Sequence, residues 1–214
     1  MSGEPYFVPA ISIVGISGVY VRLRWPITDV RVVGRIFFTG PTVGFTASAL
    51  LYLAGLPLST YEPIADEYLV LGDSLLTTAA VRVIVPQNGT ADSLVLHPIA
   101  LAGYFGFFFN MWQLLPIGRF DAGRVVYAAF GYRKASIVSW TTVAILFVLA
   151  TLGTISATWL SVAIFGALTM IRLAKQHPPD AIVPPLDRTT TYWLLAMFGI
   201  LVVIFVPVPV RLGP

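Results

Sequence analysis

The chain has 214 residues, 57% of them hydrophobic and 11% charged, with a formal net charge of +3. Soluble proteins carry about 25% charged residues, so this chain cannot cover itself with polar surface and reads as an integral membrane protein. The small net charge gives no reason to expect a nucleic-acid partner, and the lack of cysteine excludes disulfides, cysteine metal sites and thiol nucleophiles.

Taken in chain order, residues 1–5 show no basic stretch followed by an apolar one, so no secretory signal is expected. Ile11 to Trp25 is rich in β-branched residues and alternates Val21, Leu23 and Trp25 with Arg22 and Arg24. That alternation predicts a strand pair with one polar face. An amphipathic segment lying in the membrane interface is the competing reading. Uncharged stretches follow at 36–58, 93–118, 135–171 and 189–210, with His97 counted neutral, and a helix needs about 20 residues to cross a bilayer. The stretch 135–171 is nearly twice that length, and its middle, Gly153 to Thr158, is its most polar part. Basic residues flank both ends, Arg133 and Lys134 on one side and Arg172 and Lys175 on the other, so a hairpin of two spans near 135–152 and 156–171 is expected.

The expected fold is therefore an α-helical membrane protein, one polytopic domain over 1–214. It has about five transmembrane helices and a strand-rich segment at 1–35 on the cytoplasmic side. Every lysine and arginine except Arg82 and Arg211 falls on that side, whereas the 59–92 connection carries Glu62, Asp66, Glu67, Asp73 and Asp92. By the positive-inside rule the N-terminus is inside, and the expected location is the cell membrane. Within 59–92, Leu69 to Leu76 reads as a short interfacial helix. Asn88-Gly-Thr90 is formally a glycosylation acceptor but reads first as an Asn-Gly turn.

One carboxylate, Asp121, lies where apolar sequence gives way to QLLPIGRFDAGR. Ionisable residues at membrane depth cost roughly 2.5 to 3.5 kcal/mol on insertion scales and are functional candidates by default. The plain alternative is an interfacial carboxylate paired with Arg119 or Arg124. Pro116, Gly118 and Gly123 favour the functional reading, because broken helix at membrane depth is tolerated only where it lines a cavity or is buried in protein. Gly40 and Gly44 form a small-xxx-small pair that allows close helix approach. His97, before Pro98, reads as a helix-start or interfacial histidine, and His177 lies in a proline-rich loop; neither is expected to bind metal.

QLLPIGRFDAGR resembles the second signature of the site-2-protease type of intramembrane zinc metalloproteases, usually Asn-x-x-Pro followed by Leu-Asp-Gly-Gly. Pro5-Tyr-Phe-Val-Pro9, Gly40-Pro41-Thr-Val-Gly44-Phe45, Gly72-Asp-Ser-Leu-Leu76, His97-Pro98, His177-Pro-Pro-Asp180, Pro185-Leu-Asp-Arg188 and Val206-Pro-Val-Pro209 fit the same family in the same order. The resemblance implies zinc as cofactor, held by two histidines of a His-Glu-x-x-His helix and by the aspartate that Asp121 matches, with the glutamate as general base. It implies Gln113 and Pro116 as substrate-binding residues, and a transmembrane helix substrate or partner protein amid the membrane lipids. A catalytic zinc keeps three protein ligands and one open position, and two imidazoles four residues apart share one helix face.

This sequence departs from the pattern. His97 and His177 are its only histidines, neither stands at the required spacing from a glutamate, and so no catalytic residue can be assigned. In the family that helix lies upstream of the Pro-Tyr-Phe-Val-Pro stretch, so it is expected before Met1. Gln113 replaces the usual Asn, Phe120 the usual Leu and Ala122 the first Gly. Two forms of the protease reading follow, a part of an active enzyme or a form that binds transmembrane substrates without cutting them. The rival from another class is a transporter or channel-like subunit using Asp121 as a proton or cation site.

Overall fold

The computed structural model describes residues 4–9, 16–22, 30–63, 69–86, 93–173 and 188–212. The N-terminal strand region is present, β1 (Glu4–Pro9) pairing antiparallel with β2 (Ile16–Arg22). Val21 and Arg22 of the alternating stretch pair with Pro5 and Glu4, and Leu23 to Trp25 lie outside the described residues. Asn88 to Thr90, His177 and the motifs at 177–187 lie outside the described residues.

The rest is mostly helical: α1 (Val30–Gly55), α2 (Leu75–Ile84), α3 (Pro98–Gln113), α4 (Asp121–Thr151), α5 (Thr158–Leu173) and α6 (Arg188–Ile204). Gly34–Leu58 and Asp121–Thr151 are long and apolar enough, by length and composition, to cross a membrane. Helix α1 contains Pro41 and four Ser and Thr hydroxyls, and Thr39, Thr42, Thr46 and Ser48 each donate to the carbonyl four residues earlier at 2.7 to 2.8 Å. Polar side chains are thereby satisfied within the helix itself, as an apolar surrounding requires. His97 is the N-cap of α3, its Nδ1 accepting from Ile99 N ahead of Pro98, in keeping with the helix-start reading.

Two short strand pairs close the end of the bundle where α3 begins. Strand β3 (Thr60–Glu62) pairs with β5 (Ser93–Val95), and β4 (Leu69–Leu71) with β6 (Val210–Leu212). The helix expected over Leu69 to Leu76 is corrected here. Leu69–Leu71 is strand, Gly72 N donates to Pro209 O, and the helix starts only after Ser74. A capping box decides the boundary, Ser74 Oγ accepting from Thr77 N while Thr77 Oγ1 accepts from Ser74 N.

Glycines let α1 pack against α3 and then α4 along one continuous line. Gly55 lies against Ala100, Ser48 and Tyr52 against Gly103, Gly44 against Asn110, Gly40 beside Asp121, and Gly34 against Ala128. Residue numbers rise along one partner as they fall along the other, so α3 and the first part of α4 together run antiparallel to α1.

Helix α4 does not continue in that direction. Gly131 has φ 76° and ψ 174°, a region essentially open only to glycine. Ser139 Oγ accepts a 3.0 Å hydrogen bond from Gly118 N, although in a straight helix Ser139 would stand about 27 Å from Asp121 at 1.5 Å per residue. The chain therefore folds back at Gly131, and Gly118, Gly123 and Tyr127 line one small cavity with Ala135, Ser136 and Ser139. The second arm, 132–151, ends in a turn at Gly153 (φ 71°) and is followed by α5. Buried Trp159 at the start of α5 donates from Nε1 to Val206 O and Pro207 O and stacks on Phe205.

Candidate metal and substrate site at Asp121

The break between α3 and α4 spans Leu114 to Phe120. Pro116 cannot donate a backbone hydrogen bond, and Gly118 has φ 32°, so the helix cannot pass through. The loop satisfies itself tightly: Leu114 N donates to Asn110 O, Leu115 N to Trp112 O, Ile117 N to Leu115 O and Phe120 N to Ile117 O. Gly118 N reaches outside the loop, to Ser139 Oγ. Ile117 and Leu114 are fully buried beneath it.

Asp121 opens α4 and is half-buried. A Cβ placed on Gly40 would lie 3.8 Å from Asp121 Oδ2, so the carboxylate faces a bare stretch of α1 backbone. Gly40 is five residues past the exposed Arg35, so Asp121 sits about 7–8 Å further along α1 than its last charge, at 1.5 Å per residue. Arg124 is one turn on, with its guanidinium 4.1 Å from the centre of the Phe37 ring, and its charge bears on Asp121 electrostatically. The plain reading, a carboxylate beside a neighbouring arginine, thus keeps a physical basis next to the metal reading.

Gly123 was expected to help break the helix. Instead it lies inside α4, where a side chain would meet Ile117 O at 2.5 Å; its role is close packing of the helix on the loop, and Gly131 makes the second break. Gln113 ends α3 with its side chain exposed, and Pro116 is half-buried. Sequence reasoning missed Asn110, whose amide packs on Gly44 at 2.8 Å from where a Cβ would be and whose Nδ2 donates to Gly106 O. The signal was available: Asn110 is the one amide inside the apolar stretch before Gln113, one helical turn away. Buried Ser139 was also missed.

Among the described residues no group of three His, Cys, Asp or Glu side chains could hold a metal ion. His97 caps the far end of α3, about 24 Å away along its 16 residues. Asp121 alone does not make a zinc site, so no hydrolytic step follows from the residues present.

No protein-family model matches the chain, and no solved structure does. Among curated proteins, it is 31% identical over 134 residues to the probable chloroplastic zinc metalloprotease EGY1 of Arabidopsis thaliana, covering 59% of this chain and 24% of that protein. It is 24% identical over 201 residues to the probable chloroplastic zinc metalloprotease EGY2 of the same plant, covering 92% of this chain and 35% of that one. A DDT domain-containing protein of Arabidopsis thaliana, PTM, is 33% identical over 103 residues, 45% of this chain and 6% of its own length. The chain thus spans about a quarter to a third of the length of these two EGY proteins.

Its homologues are therefore site-2-protease-like zinc metalloproteases of the EGY type, at modest identity. The zinc expected from the likeness is the metal in those proteins' names, and their names place them in chloroplasts.

Proposed function

We propose that this chain is the aspartate-bearing part of a site-2-protease-like metalloprotease that acts on transmembrane helices. Asp121 supplies one zinc ligand, and a helix outside this sequence supplies two histidines and the glutamate base. Without that helix the chain binds substrate but does not cut it. Gln113 and Pro116, at the open end of α3, take the substrate backbone. The observation that carries this reading is the position of Asp121 at a break between two helices, beside the side-chain-free Gly40, in a chain whose homologues are zinc metalloproteases.

The same reading makes the chain a multi-pass protein of the cell membrane with five crossings. These are α1, the broken α3 with the first arm of α4, the second arm, α5 and α6. Folding at Gly131 supports this count, since it turns one long helix into two oppositely directed pieces. The rival transporter or channel reading finds no support among the relatives.

Metal analysis tests the proposal. The purified chain alone is expected to carry no stoichiometric zinc. Co-purified with a segment of a site-2-type protease that carries His-Glu-x-x-His, it is expected to hold one zinc per pair, lost in Asp121→Ala. Stoichiometric zinc in the chain alone, or zinc in the pair that survives Asp121→Ala, overturns it.

A further inference from the structure

Helix α2 carries exposed apolar side chains opposite its packed face, with Arg82 and half-buried Thr78 along one edge of them. Thr77 and Ala80 are buried, and Leu76, Val81 and Ile84 pack against the core. The opposite face carries Leu75, Ala79 and Val83, spaced four residues apart on one side of the helix; Leu75 is 65% and Val83 84% exposed. A helix lying on a protein in water presents polar residues there.

Its position accounts for that composition. Helix α2 packs on the Leu56–Leu58 turn that directly follows α1, and on α6. From Arg35 to Gly55, α1 rises about 30 Å at 1.5 Å per residue, the thickness of the hydrocarbon core. Helix α6 has 17 residues, about 25 Å, and is shorter than that core. Elements packed on the ends of these helices therefore lie at the boundary of the acyl chains and not beyond it. Leu58, Val95 and Ile99, all exposed, continue the apolar surface around the same end. Arg82, exposed next to Val83, has a stem long enough to lie along apolar surface while its guanidinium reaches the headgroups.

We propose that α2 lies in the plane of the membrane interface at the end of the bundle away from Asp121, with its Leu75, Ala79 and Val83 face in lipid acyl chains and Arg82 at headgroup level. The partner of this surface is lipid. The proposal rests on the reading of α1 and α6 as membrane crossings and is independent of the zinc reading.

The absence of cysteine makes the test direct. Leu75→Cys, Ala79→Cys and Val83→Cys are each spin-labelled in the full chain reconstituted in phosphatidylcholine vesicles, with Glu62→Cys on exposed β3 as the aqueous control. Collision with oxygen is expected to exceed collision with a water-soluble nickel complex several-fold at 75, 79 and 83, and the order is expected to reverse at 62. Nickel collisions dominating at 75 and 83 would place α2 in water and overturn the proposal. Immobilised labels reached by neither quencher would show a protein contact and overturn it equally. Because Val83 touches little, its variant keeps the fold, and Leu75 gives an independent reading.

Discussion

Gly118 N donates a 3.0 Å hydrogen bond to Ser139 Oγ, tying the loop before Asp121 to the returning arm of α4. Ser139 is 2% exposed and donates its own hydroxyl hydrogen bond to Ala135 O at 2.8 Å. Ser139→Ala leaves a buried backbone N–H without that acceptor, which costs about 1–3 kcal/mol. Denaturant or thermal unfolding in detergent should show a loss of that size. An unchanged midpoint would mean the loop finds another acceptor.

Gly131 fixes where α4 turns back. Its backbone conformation costs a residue with a Cβ about 1–3 kcal/mol, so Gly131→Ala is expected to destabilise the chain by that amount. A label pair at half-buried Arg124 and exposed Trp140, one on each arm, should also move apart as the two arms separate. No change in that distance would show that the fold does not depend on glycine here.

The α1–α3 seam predicts a contrast between two glycines. A methyl group at Gly103 would overlap the backbone of Ser48 and Tyr52, whereas at Gly199 nothing lies within 4 Å. Gly103→Ala should force the helices apart and cost about 1–3 kcal/mol, as overpacking does. Gly199→Ala, inside α6, should gain up to about 1 kcal/mol from helix propensity. Comparing their melting temperatures checks both, and a fall in both would contradict the open space at Gly199.

Trp159 holds the extended segment after α6. Its Nε1 bonds Val206 O and Pro207 O, Ser156 N bonds Pro207 O, and Tyr104 Oη with Gly72 N reaches Pro209 O. Buried non-helical backbone must find partners within the protein in this way. Trp159→Phe keeps the stack on Phe205 but removes the donor, and should cost about 1–3 kcal/mol with faster proteolysis at 205–209. Wild-type proteolysis would show the carbonyls satisfied otherwise.

Local signals carried much of this architecture. The polar middle of 135–171 marked the turn now seen at 152–157, and Pro116 with Gly118 marked the break before Asp121. A reversal between the spans near 93–118 and 135–152 was expected within 119–134, but not its place at Gly131, because nearby Gly118 and Gly123 are equally free to adopt a positive φ. Pairing of Leu69–Leu71 with Val210–Leu212 joins segments far apart in the chain, which periodicity cannot report. At the site, Asp121 was found by its charge, whereas Asn110 and Ser139 became visible only through Gly44 and Gly118 across from them.

The arm between Asp121 and Gly131 behaves as a gauge block. Both its ends are pinned, one by the loop and one by the glycine bend, so the heading of the carboxylate depends on the number of residues between. Each residue of α-helix turns by about 100°, and inserting one alanine after Val126 would swing Asp121 away from Gly40 while leaving composition and hydropathy almost untouched.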